Sequence, residues 1–123
     1  MILTTKNYFS ILVLTHCNII ELPMRKELEA QLKTSATKGL YEALALINKP
    51  EEMVCFLRDL FTLEEIEEAS RRLLAARLLK EGKSIRSIAK EIGLSTTTVV
   101  RINYWLHHGM GGYEIALEKL EKV

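Results

Sequence analysis

Residues 84–106, SIRSIAKEIGLSTTTVVRINYWL, decide how this chain is read. Ser84 is placed to cap a helix in which Ile85, Ile88, Ala89 and Ile92 follow at i, i+3, i+4 and i+7, one apolar stripe over two turns. Gly93 suits a left-handed turn, Leu94 is positioned to plug the corner, and Ser95 can cap a second helix whose Val99 and Ile102 face inward. Two helices crossing at about 90 to 120° need a small residue where they touch and a glycine at the turn. Ala89 and Gly93 meet both needs, so the pattern predicts a helix-turn-helix.

The outer face of the second helix carries what a groove reader requires. Thr96, Thr97, Val100, Arg101 and Tyr104 are predicted to lie together there, offering hydroxyls, a methyl-rich surface for thymine and a guanidinium for guanine or phosphate. Residues at the N-terminal end of such a helix contact bases, so Ser95 and Thr98 join the expected DNA-binding set, while Arg86 and Lys90 on the preceding helix can hold phosphates. A purely structural helix pair shows the same apolar spacing, and a serine followed by three threonines also suits a plain capped helix start. The small residue, the glycine, the corner leucine and the polar outer face occurring together favour double-stranded DNA. The rival expectation is a protein-docking surface, which exposed Tyr104 and Trp105 would serve.

Composition bounds the rest. A chain of 123 residues is about one domain, and 48% hydrophobic with 27% charged residues is a globular balance. Only six Gly and two Pro favour helix. The formal charge of +1 gives no bulk attraction to nucleic acid, so binding must rest on local arrangement. Residues 62–109 hold eight Lys or Arg against six acids, and residues 84–106 three against one. So small a cationic patch predicts modest affinity per monomer, with dimerisation adding the remainder.

Cys17 and Cys55 are far apart with no CxxC, which fits free thiols in a reducing cytoplasm. Adjacent His107 and His108 project in different directions on a helix, so no metal is expected. There are no paired carboxylates with a helper His, no nucleophile with a base and no phosphate-binding glycine loop; the chain does not read as an enzyme. The N-terminal segment, MILTTKNYFSILVLTHCNIIELP, has only Lys6 ahead of its apolar run, which His16, Cys17 and Asn18 interrupt, and no small-residue cleavage site follows; the run is shorter than the roughly 20 residues of a membrane span. Residues 1–23 read as a peripheral extension, with Met24 a candidate for the native start, and residues 24–123 as a single domain.

From Met24 onward the spacing is helical. Leu28 and Leu32 share one face, and Leu40, Leu44 and Ile47 another. Pro50, Glu51 and Glu52 suit a first turn of a helix running to about Leu60. Thr62 and Glu65 have capping-box spacing, opening a long helix from Leu63 to about Glu81, with Gly82 as its C-terminal cap. The second half of that helix, RRLLAARLLK, is apolar around most of its circumference. So short a chain has little material to surround it, which predicts a homodimer. After a break at Gly109, Gly111 and Gly112, Tyr113, Ala116, Leu117 and Leu120 define a last amphipathic helix, with Glu118 and Lys122 spaced to pair on its outer side.

The segments KPEEMVCFLRDLFTLEEIEEASRRLLAARLLKEGKSIRSIAKEIGLSTTTVVRI and GMGGYEIAL, in that order, resemble the Trp repressor family, and within it the YerC/YecD group of small bacterial proteins. The resemblance implies an all-α, intertwined homodimer with a reading head at each end, and a transcriptional regulator, typically a repressor. Two recognition helices would enter successive major grooves about 34 to 36 Å apart. The resemblance also places Arg72 and Arg101 at the positions of two tryptophan-clasping arginines, and Thr62 at a pocket threonine. The family glycine after the second arginine is Ile102 here, whose branched side chain would fill the space of the indole. Tryptophan corepression is therefore not expected, and no cofactor is assigned. For Arg72 the spacing to Glu68 predicts an i, i+4 salt bridge instead.

Overall fold

The computed structural model describes residue 30 and residues 33–123. The expected extension at residues 1–23, the start at Met24 and the helix carrying Leu28 and Leu32 lie outside them. Among the described residues there are six α-helices and no strand. These are α1 (Ser35–Leu46), α2 (Pro50–Leu60), α3 (Leu63–Lys80), α4 (Ile85–Ile92), α5 (Thr96–His108) and α6 (Gly112–Glu121). The chain divides within α3, at Glu67 and Glu68, into two units.

In the first unit, local chemistry sets the helix starts. The Thr34 hydroxyl accepts from Thr37 N at 3.2 Å to start α1. Pro50 takes the first position of α2, where its missing N–H is no loss, followed by Glu51 and Glu52 at the positive end of the helix. The expected capping box opens α3: Glu65 N donates to Thr62 Oγ1 at 3.2 Å, and Thr62 N donates to Glu65 Oε2 at 2.9 Å. Yet neither α1 nor α2 has a buried residue, and Leu46, Val54, Leu60 and Leu63 remain exposed. Among the described residues of this unit, helices have formed with no buried side chain.

Among the described residues, the second unit, Glu68–Val123, holds all the buried side chains: Ala75, Ala76, Leu78, Ile88, Ala89, Val99, Ile102 and Leu117. Ile85, Ile92, Leu94 and Tyr113 pack at its margin. Here α3 ends one residue earlier than its sequence suggested, at Lys80, in a Schellman motif: Lys83 N donates to Leu78 O and Gly82 N to Leu79 O, both at 3.0 Å. The apolar second half of α3 is covered on one side only. Among the described residues, Ala75 and Ala76 are fully buried, whereas Leu74 is 43% exposed.

The closing helix α6 is pinned at both levels. Leu117 enters the core, and the Lys80 ammonium reaches Glu114 Oε1 at 3.2 Å and Glu121 Oε1 at 3.7 Å. The expected Glu118–Lys122 pair is absent among the described residues; carboxylates one turn either side of Glu118 meet Lys80 of α3 instead. The Lys80 pKa is raised, first by its hydrogen bond to Glu114, against partial desolvation, and further by the charges of Glu114, Glu121 and Glu118. Leu120, expected on the packed stripe, stays 46% exposed.

Candidate nucleic-acid interface

Three caps build the reading head. The Ser84 hydroxyl accepts from Ser87 N at 3.2 Å and starts α4. At its other end Gly93 takes a φ of +75°, and the N–H groups of Gly93 and Leu94 both donate to Ala89 O, at 3.0 and 3.1 Å. The Ser95 hydroxyl then accepts from Thr98 N at 3.1 Å and starts α5. The turn is therefore only three residues long, and Ala89 is both its hydrogen-bond anchor and, at 8% exposure, the small residue in the core beneath it. Lys83 Nζ on Glu91 Oε2 at 3.1 Å braces α4 from the side.

Burial sorts α5 into two surfaces. Val99 and Ile102 are in the core, while Thr96, Thr97, Val100, Arg101 and Tyr104 are exposed, as their spacing predicted. Ser95 and Thr98 differ from the rest of the expected set. Their hydroxyls share a hydrogen bond of 2.8 Å and Thr98 is partly buried, so the pair closes the helix start and offers less to a groove. Arg86 and Lys90 are exposed on α4, and with Thr96 and Leu94 they line an open groove between the two helices. Arg86, Lys90 and Arg101 make no ion pair among the described residues, whereas Lys80, Lys83 and Arg72 are all engaged by carboxylates. The head therefore presents cations with no internal counter-charge.

Residues beyond the expected set extend the same face. His108 packs its ring on Tyr104 with centroids 4.9 Å apart, and Trp105 meets Tyr104 edge-on at 5.4 Å. The signal for His108 was present in the spacing, four residues after Tyr104 and eleven after Thr97. His107 turns back, its Nδ1 within 2.8 Å of Asn103 O. On the other side Trp105 lines an apolar groove with Leu73, Met110 and Tyr113.

The residues of the expected ligand pocket have separate engagements. Thr62 is in the capping box at the start of α3. Arg72 donates to Glu68, the i, i+4 partner its spacing predicted. Arg101 is exposed on α5, and Ile102 beside it is 4% exposed, packed into the core. Cys55 is a free, exposed thiol, and the described residues hold no group of three or more His, Cys, Asp or Glu suited to a metal ion. No helix among them is long and apolar enough to cross a membrane.

Comparison with known proteins places this arrangement among relatives. Residues 35–121 match the family described as Trp repressor protein. The uncharacterised protein YerC of Bacillus subtilis (strain 168) is 35% identical over 93 residues, 76% of this chain and 89% of YerC. Among solved structures, a TrpR-like protein from Eubacterium eligens ATCC 27750 aligns with a TM-score of 0.71 at 34% identity, over 75% of this chain and 95% of that one. A candidate Trp repressor from Staphylococcus aureus aligns with a TM-score of 0.70 at 30% identity, over 82% of this chain and 96% of that one.

Proposed function

The chain belongs to the Trp repressor protein family, a family of regulators and not of enzymes, and we propose that it is a sequence-specific DNA-binding transcriptional repressor of the cytoplasm. The observation that carries the proposal is the company of Arg86, Lys90 and Arg101: three cations with no ion pair among the described residues, grouped around the exposed Thr96, Thr97 and Val100 of a capped helix-turn-helix. Arg86 and Lys90 hold phosphates and fix the register, while Arg101, Thr97 and Val100 meet base edges in the major groove.

The protein acts as a homodimer. Helices α1 and α2 with no buried residue and a central helix with Leu74 exposed both call for apolar surface from a second copy. Two heads then double the phosphate contacts that one small cationic patch provides. Tryptophan is not its corepressor, since Ile102 occupies core volume beside Arg101 and Arg72 is held by Glu68.

The test is a fluorescence-anisotropy titration of duplex DNA across a salt series, with wild type and Arg101→Ala in parallel. Arg86 and Lys90 on each of two heads correspond to a slope of log affinity against log salt on the order of −4, which Arg101→Ala leaves nearly unchanged while it lowers affinity for a selected site. A flat salt dependence would favour the second reading, a protein-docking surface centred on Tyr104 and Trp105, each 56% exposed.

A further inference from the structure

On the premise of the DNA-binding reading above, we infer that the half-site selected by this chain contains a guanine with a thymine within about two base pairs of it, and that Val100 reads the thymine through its C5 methyl group.

The inference follows from which side chains the outer face offers and which it withholds. Over its first two turns, residues 96–101, α5 contains no Asn or Gln, the side chains that read adenine through paired hydrogen bonds, and no Asp or Glu, which accept from the cytosine amino group. Its one Asn, Asn103, is partly buried. Of the hydroxyls at the helix start, those of Ser95 and Thr98 are bonded to each other. What remains exposed is Thr96, Thr97, Val100 and Arg101.

Arg101 is the sole side chain among these with two parallel donors, and it has no ion-pair partner among the described residues, so it selects the O6 and N7 acceptors of guanine. Val100 stands beside it at 49% exposure, although its neighbour Val99 shows that a valine of this helix can be fully buried. A branched, stiff, apolar side chain can neither hold a phosphate nor donate to a base. The one feature in the major groove complementary to it is the thymine methyl. Thr97, one turn earlier, adds a methyl and a hydroxyl to the same strip.

Spacing sets the distance between the two bases. From Thr97 to Arg101 the helix rises about 6 Å, and B-DNA advances about 3.4 Å per step, so the methyl-bearing strip and the guanidinium span roughly two base pairs.

The experiment has two stages. The full chain is first used to select duplexes from a random library at low salt. Each thymine of the enriched site is then replaced by uracil, which lacks only the C5 methyl, and affinities of wild type and Val100→Ala are compared. Val100 is exposed and outside the core, so the variant keeps its fold; circular dichroism verifies this. The expected result is a guanine with a thymine within two base pairs, a loss of about fourfold for wild type at one uracil, the effect of one methyl leaving an apolar contact, and a smaller thymine–uracil difference for Val100→Ala. An enriched site without thymine near guanine, an unselective library that is nonetheless bound, or equal affinity of wild type for thymine and uracil would overturn the inference and leave DNA binding standing. Failure to retain any duplex at low salt would overturn both.

Discussion

Val99 and Val100, neighbours in the chain and identical in chemistry, occupy opposite surfaces of α5: Val99 is 0% exposed and Val100 49%. One step along a helix turns a side chain by about 100°, enough to carry it from core to solvent. Val99 holds the reading head together, and Val100 is left for whatever the head meets. The two valines therefore separate stability from recognition. Val99→Ala is expected to destabilise by about 1 to 3 kcal/mol in urea unfolding, and Val100→Ala by less than about 0.5 kcal/mol.

Removal of a cap should be felt in stability before it is felt in binding. Ser95→Ala deletes the acceptor for Thr98 N and the partner of the Thr98 hydroxyl, and a loss of about 1 kcal/mol is expected. Ser95→Asp restores an acceptor at the same position, and recovery of the urea midpoint would separate capping from any role of the hydroxyl in base contact.

Two glycines should respond in opposite directions to the same substitution. A Cβ on Gly109 would stand 2.3 Å from the Trp105 carbonyl oxygen, so Gly109→Ala must displace the end of α5, at a cost of about 1 to 3 kcal/mol. Gly39, inside α1, has nothing within 4 Å of its Cβ position, and Gly39→Ala should stabilise by roughly 0.4 to 1 kcal/mol through a less flexible unfolded chain. Thermal melts of the two variants beside wild type check both signs.

The second copy is tested by mass. Wild type is expected at twice the chain mass in light scattering behind size exclusion. Val54→Glu, at a position 62% exposed in the single chain, and Leu74→Glu, at 43%, should both shift the mass toward that of one chain, because each would bury an unpaired carboxylate in the dimer. Unchanged mass for both would place the partner surface elsewhere.

Titration should loosen α6 only at high pH. Lys80 has a pKa raised above its ordinary value of 10.5, first by its hydrogen bond to Glu114. A group whose folded pKa is raised contributes stability that is fully present below its unfolded pKa and is lost as pH climbs through the folded one. The melting difference between wild type and Lys80→Met should therefore be constant from pH 7 to about 9 and shrink above 10.5. A difference that vanished near neutrality would contradict the assignment.

Tryptophan should leave the protein unaffected. Ile102 is 4% exposed in the core, so calorimetric titration with tryptophan is expected to give no binding heat, and DNA affinity should be the same with and without it. Ile102→Gly would open the space only by removing a core side chain, at about 2 to 5 kcal/mol or more, which a urea midpoint would register.

The helices and their ends were legible in the sequence because capping is local. Ser84, Ser95 and the Thr62–Glu65 pair each bond within three residues, and periodicity alone told Val99 and Ile102 from Val100 and Arg101. The Arg72–Glu68 pair was legible for the same reason. Other features depended on side chains far apart in the chain. Lys80 meets Glu114 and Glu121 across more than thirty residues, contacts that spacing within α6 does not show, while the Glu118–Lys122 pair that spacing suggested is absent among the described residues. By itself, then, the sequence determined the helix-turn-helix, its cap residues and its outward chemistry, since these follow from hydrogen bonds and side-chain directions within one or two turns. Only the tertiary structure decided which cations of the head have no ion pair among the described residues, and that α1 and α2 form with no buried residue, because ion pairing and burial depend on what the rest of the chain brings alongside.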